Sequence, residues 1–137
     1  MIRYLTKKQI IRINKETTDT HGGNFIAPHN FLHENNLDYL IESVQSEMFG
    51  QALYPDLSDK AAVYCHHIIC HHIFSDGNKR TGLGAALQFL NLNAKKLSDN
   101  VTNSILTDFI LSIASGNLSL DECKSWFANN ITALDQQ

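Results

Sequence analysis

The chain is short of proline, of charge and of arginine. Its two prolines, Pro28 and Pro55, both lie in the first 55 of 137 residues, so nothing after them is barred from continuous helix. Charged residues make up 18%, below the roughly 25% usual in soluble domains. A formal net charge of -3 gives no bulk attraction to nucleic acid or to an anionic membrane. The three cysteines, Cys65, Cys70 and Cys123, include no Cys-x-x-Cys pair. That argues against a secreted disulfide framework and for a reducing compartment. No apolar run approaches the roughly 18 residues of a membrane span, and Met1 to Asn14 lacks the apolar core of an export signal. The protein is therefore expected to act in the cytoplasm. What the chain does have is 43% apolar residues. That suffices for one core in one domain spanning 1–137, and makes disorder a poor description. It also has seven histidines, and His66, His67, His71 and His72 fall within seven residues.

The apolar residues define six helices. Thr6 and Gln9 have capping-box spacing ahead of Ile10, Ile11 and Ile13, and predict a first helix that fades near Thr17. Gly22, Gly23, Asn24, Pro28 and Asn30 make residues 21–30 a loop or short hairpin. Leu37, Leu40, Ile41, Val44 and Met48 predict a second helix over about 33–49, ended by Gly50 and the Tyr54-Pro55-Asp56 turn. Asp56 or Ser58 caps a third, whose stripe holds Ala61, Cys65, Ile68 and His72 and which ends near Ile73. A fourth covers about 79–92, with Leu83, Leu87 and Leu90 on one face. A fifth covers about 101–115 and closes at Gly116. The sixth starts at Ser119, with Glu122 completing a second capping box, and carries Trp126, Phe127 and Ile131. Six amphipathic helices without an alternating strand predict an all-α, compact single-domain bundle.

Chemistry is concentrated in residues 71–84, HHIFSDGNKRTGLG. A loop with glycine at 77, where positive φ costs little, feeds a helix start near Lys79. A helix N-terminus offers unpaired N–H groups and the positive end of the dipole, which is a ready anion site. Lys79 and Arg80 add two cations there, and Asn78 and Thr81 add donors. Asp76 is an anion beside an anion site, which makes sense if a divalent cation such as Mg2+ lies between it and phosphates. His72, just before the loop, can accept a proton from a hydroxyl near neutral pH. These are the parts of a phosphoryl- or nucleotidyl-transfer site. The same residues also describe a plain helix–loop–helix. Asp76 and Asn78 would then be N-caps, Gly77 a turn residue, Lys79 and Arg80 solvated, and His72 a packed histidine.

The run His72-Ile73-Phe74-Ser75-Asp76-Gly77-Asn78-Lys79-Arg80 resembles the signature of the Fic/Doc superfamily, H-x-F-x-[DE]-[GA]-N-[GK]-R, with every fixed position filled. Lys79, where Fic proteins have a second glycine, and Leu83, where they have a second arginine, are similar to the Doc (death-on-curing) branch. The Gly-Gly segment, the Leu-rich helix ending in Phe-Gly, the Leu-Tyr-Pro-Asp-Leu turn and Thr81 to Asn93 extend the resemblance over nearly the whole chain. It implies the all-α Fic/Doc fold, with 21–30 as a flap that aligns target backbone. It implies His72 as catalytic base, Asp76 as Mg2+ ligand, and Asn78 and Arg80 on phosphate oxygens, with backbone amides from Gly77 onward. Lys79 implies a reversed nucleotide, with the γ-phosphate of ATP facing His72. The expected activity is thus Doc-like: phosphorylation of a protein Ser/Thr hydroxyl, on elongation factor Tu in the family, which blocks translation. The self-inhibiting motif of many Fic proteins, [ST]-x-x-x-E-[GN], is missing, because Asn30 stands four residues before Glu34-Asn35. Restraint is therefore expected in trans, from a Phd-type antitoxin of a type II toxin–antitoxin system.

Three other functions compete. His67 and His71, with Cys70 adjacent, have the spacing of zinc ligands, but Ile68 stands where HExxH has its glutamate. His29 and His33 are the other pair at that spacing. A Fic-type adenylyltransferase would keep the same motif, and Lys79 argues against it. A non-enzymatic antitoxin-binding module would not need His72, Asp76, Asn78 and Arg80 together.

Overall fold

The computed structural model describes residues 1–135. Helix α1, Lys7–His21, opens on the Thr6–Gln9 capping box, with the Gln9 N–H donating to Thr6 Oγ1 and Gln9 Oε1 accepting from the Thr6 N–H. It runs four residues past the expected fade at Thr17, because its buried stripe continues as Ile10, Asn14 and Thr18. A stripe that turns polar looks like an ending in an apolar pattern. Gly22 closes the helix at φ +81°. Residues 22–33 then form a loop rather than a hairpin. It is tied to the body by an antiparallel bridge from Phe31 to Phe74, whose rings stack at 5.3 Å.

Helix α2 is shorter than expected, Glu34–Ser43. Leu37, Leu40 and Val44 are core, but Met48 is not. Ser43 and Ser46 hydroxyls donate to the Leu40 and Glu42 carbonyls and compete with the helix ladder. Phe49 and Gly50, at φ +53° and +78°, reverse the chain between strands β1, Glu47–Met48, and β2, Gln51–Ala52. Two positive-φ residues make the tight turn that suits a hairpin.

Helix α3, Leu57–Cys70, starts at Asp56, whose N–H donates to the Asp59 carboxylate. It is the axis of the fold. Ala61, Ala62, Val63, Tyr64 and Cys65 are all fully buried, so it is covered on every side. It packs mainly against α4, Asn78–Leu92, and α6, Leu120–Asn130. The α3–α4 approach is close because Gly82 has no side chain. A Cβ there would lie 2.8 Å from Ile69 Cγ1 and 2.9 Å from the Cys65 carbonyl. Tyr64 is fully buried, but its hydroxyl accepts from the Leu5 N–H, and burial pushes its pKa up to about 12.

Helix α5, Asn103–Ala114, is capped by Thr102. Gly116, φ +79°, follows it. Helix α6 carries the Ser119–Glu122 capping box. Beyond α6, Ile131 leaves the helix and joins strand β4, Ile131–Ala133, which pairs antiparallel with β3, Lys95–Leu97. Among the described residues the architecture is six helices with two minor strand pairs, the all-α fold expected. No helix among the described residues is long and apolar enough to cross a membrane.

Candidate functional site

His72 is the second residue past the end of α3, and its backbone is left-handed at φ +47°. For a residue with a Cβ this costs energy, so the surroundings must hold it there. They do so from both sides. Asn36 Nδ2 donates to the His71 carbonyl at 2.8 Å. The N–H groups of Leu32 and His33 both donate to the Ile73 carbonyl, at 2.9 and 3.0 Å. Ile73 and Phe74 bury fully and anchor the loop, and His72 between anchor and helix is left exposed.

From there the loop climbs to α4. Asn78 turns its amide back, accepting from the Phe74 N–H at 3.0 Å and donating to the Phe74 carbonyl at 2.8 Å. Neither Asp76 nor Asn78 is the N-cap of α4. That position is Gly77, at φ +79°, and no side chain caps the helix. The plain helix–loop–helix description therefore fails in one specific respect: the first N–H groups of α4 have no side-chain acceptor. Asp76 instead accepts from the Gly77 N–H on Oδ1, 2.7 Å, and from the flap's Asn24 N–H on Oδ2, 3.0 Å. These two bonds, first Asn24 and then Gly77, with Lys79 beyond, hold its carboxyl below the ordinary carboxylate value. Gly23 is where the flap crosses it, since a Cβ there would lie 2.7 Å from Asp76 Oδ2.

A cleft of about 670 Å³ opens in front of these groups. His72, Asp76, Gly77, Asn78, Lys79 and Arg80 all line it. Its far wall is α5, through Leu106, Ile110 and Leu111. Thr81, expected among the phosphate donors, is not there. It is fully buried, and its Oγ1 accepts from Asn14 Nδ2 at 3.0 Å on the far side of the loop. The reason is helical phase: one residue past Arg80 the side chain points into the α1–α4 contact. Asn78, also expected on phosphate oxygens, has both ends of its amide on the Phe74 backbone instead. Asp76, Lys79 and Arg80 suit a magnesium–nucleotide pair. Asp76 is ionised, receives backbone donors alone, and has lone pairs to spare for a hard cation. Lys79 and Arg80 are exposed beside an uncapped helix start, and no ion pair among the described residues uses them.

Residues 4–90 match the sequence profile of the Fic/DOC family. The chain belongs to the Fic/Doc family. Two curated relatives carry the Doc name. One is "Toxin Doc" of Mycolicibacterium smegmatis, 33% identical over 85 residues, which are 62% of this chain and 65% of that protein. The other is "Protein kinase doc" of Escherichia phage P1, 27% identical over 119 residues, 87% of this chain and 88% of that protein. This Fic/Doc chain thus lies on the Doc branch.

The other clustered histidines of the Fic/Doc chain, His66, His67 and His71, do not line the cleft. His67 is buried with its ring stacked on His71 at 4.7 Å, and His66 Nε2 lies 3.7 Å from Cys70 Sγ. Among the described residues no three His, Cys, Asp or Glu side chains converge as metal ligands. All three cysteines are free thiols. His67 Nδ1 has no hydrogen-bond partner among the described residues, and burial, then the neighbouring His71 and His66, lowers its pKa from 6.5 to about 4. Between those values the unfolded chain takes up a proton that the fold refuses. Stability present above pH 6.5 is therefore expected to fall as the pH drops toward 4, by at most about 3 kcal/mol at 1.36 kcal/mol per pH unit. Urea unfolding of wild type and His67→Phe at pH 7 and 4.5 checks this, and the variant should lose less stability.

Residues that the sequence pattern left unmarked also build the site. Asn14, Asn30 and Asn36 hold its loops, and Ser75 lines the cleft. The available signal for Asn14 was its place in the Ile10–Asn14–Thr18 stripe, a polar residue where an apolar one is due.

Proposed function

We propose that this protein is a Doc-like toxin that transfers the γ-phosphate of ATP, with Mg2+, to a Ser or Thr hydroxyl of a target protein. The observation that carries this is the convergence on one cleft of His72, Asp76 and the uncapped start of α4 with Lys79 and Arg80. In this function His72 takes the proton of the incoming hydroxyl. Asp76 holds the cation, and Arg80 and the N–H groups from Asn78 onward, free where that of Gly77 is taken by Asp76, bind phosphate oxygens. Magnesium, when bound, neutralises charge on the transferred group. By resemblance the flap, tied to Asp76 through Asn24, would align a target segment beside His72. By resemblance the target is elongation factor Tu, the site of action is the cytoplasm, and the restraint is a Phd-type antitoxin.

Lys79 supports phosphate rather than AMP transfer. It puts a long cation at the cleft, in the place where Fic proteins leave room for an α-phosphate. The test is incubation with Mg2+, elongation factor Tu and ATP labelled at either the α or the γ position. The γ label is expected on the target, and α label there would overturn the assignment. In Lys79→Gly, γ transfer should fall at least about tenfold, as when one well-placed charge is lost, and α transfer should become detectable.

A further inference from the structure

Two buried asparagines meet beneath the loop that carries Asp76. Asn14 of α1 and Asn30 at the end of the flap are both fully buried. Asn14 Nδ2 donates to the Asp76 carbonyl and to Thr81 Oγ1, both at 3.0 Å. Asn30 Nδ2 donates to Asn14 Oδ1 at 3.0 Å and reaches the Asp76 carbonyl at 3.4 Å. Asn30 Oδ1 in turn accepts from the Ile26 N–H at 2.8 Å and from the Ser75 hydroxyl. The order is self-consistent. A backbone carbonyl at one end demands a donor and a backbone N–H at the other demands an acceptor, so both amides can point only one way. Asn30 sits at φ +63°, a conformation asparagine tolerates better than most residues.

The clasp acts on one peptide group. The Asp76 carbonyl is drawn inward, toward Asn14 and Asn30. In a trans peptide the N–H points opposite to the C=O, so the Gly77 N–H is turned outward, where it meets Asp76 Oδ1. Asn14 also lies directly beneath Gly77, and a Cβ on Gly77 would come within 3.2 Å of its Nδ2. The clasp thus sets the exit direction of the Asp76 carboxylate and turns the Gly77 N–H onto its Oδ1.

We infer that Asn14 and Asn30 are positioning residues, which act through the Asp76–Gly77 peptide to aim the cation-binding carboxylate. This rests on the function proposed above, in that Asp76 holds the cation. The test uses the full chain with Asn14→Ala and Asn30→Gly. The glycine keeps the left-handed backbone at no steric cost while removing the side chain. Calorimetry with ADP, with and without Mg2+, separates cation-linked binding from phosphate binding. In Asn14→Ala, which takes the 3.0 Å donor from the Asp76 carbonyl, the gain in ADP affinity produced by Mg2+ should shrink about tenfold. In Asn30→Gly, which frees the Asn14 amide that Asn30 orients, it should shrink about threefold, and in both variants metal-free ADP affinity should change far less. In phosphotransfer, kcat should fall more than KM for ATP rises. If Asn14→Ala does not fold, Asn30→Gly carries the test. In the wild type, the Asn14 and Asn30 side-chain NH2 resonances should also shift on Mg2+–ADP and not on ADP alone. Folded variants with wild-type Mg2+ linkage would overturn the positioning role alone. A wild type whose ADP binding ignores Mg2+ would overturn the proposed function and this inference together.

Discussion

His72→Ala is expected to lower phosphotransfer by roughly two to four orders of magnitude, the range for loss of a positioned general base. The fold should survive. The His72 side chain is exposed, and the bonds that fix its backbone are made by the neighbouring His71 and Ile73 carbonyls, which an alanine leaves in place. Alanine does carry the full cost of a left-handed residue, about 1–2 kcal/mol. His72→Asn, which tolerates that conformation better, should therefore be as inactive and more stable, and so separates chemistry from strain. The same substitutions give the growth test. Wild-type expression without antitoxin should stop growth, and expression of either variant at equal level should not. A His72→Ala protein that still arrests growth would mean that binding, not transfer, does the harm. It would move the protein to the non-enzymatic class.

The helices were legible where they bury apolar faces. Thr6–Gln9 and Ser119–Glu122 were readable as caps because capping is local chemistry. Reading failed where a face is buried but polar, or apolar but exposed. The end of α1 is buried through Asn14 and Thr18, and no hydrophobic period reports it. Conversely, Met48 continues the apolar period of α2 but lies on an exposed hairpin. Both failures follow from counting apolar residues as a proxy for burial. The motif loop was legible as a cluster, since His72, Asp76 and residues 77–80 share one cleft. Thr81 was misplaced because loop residues count by proximity and helical residues by phase, and α4 begins at Asn78. What no local pattern contained is the support of that loop. Asn14, Asn30 and Asn36 come from distant parts of the chain, and Asn14 to Asp76 spans 62 positions.

Asp76→Ala should be the second severe loss, at least about a hundredfold in transfer rate, the scale for removing one preorganised electrostatic group. Unlike His72, Asp76 has two duties that two substitutions divide. Its oxygens accept from the Gly77 N–H and, through Oδ2, from Asn24 in the flap. Alanine removes the charge and both bonds. Asparagine removes the charge, keeps one acceptor, and sets its amide NH2 against one of the two backbone N–H groups. If the charge is what matters, the two variants should be equally slow, and raising Mg2+ should restore neither. Holding the flap is a separate effect, read by amide exchange at Asn24. That exchange should quicken in Asp76→Ala, and in Asp76→Asn only if the surviving oxygen faces Gly77. Full activity of Asp76→Asn at the wild-type Mg2+ requirement would show that the carboxylate serves the flap alone. The cation would then have to be held by phosphate oxygens without this side chain.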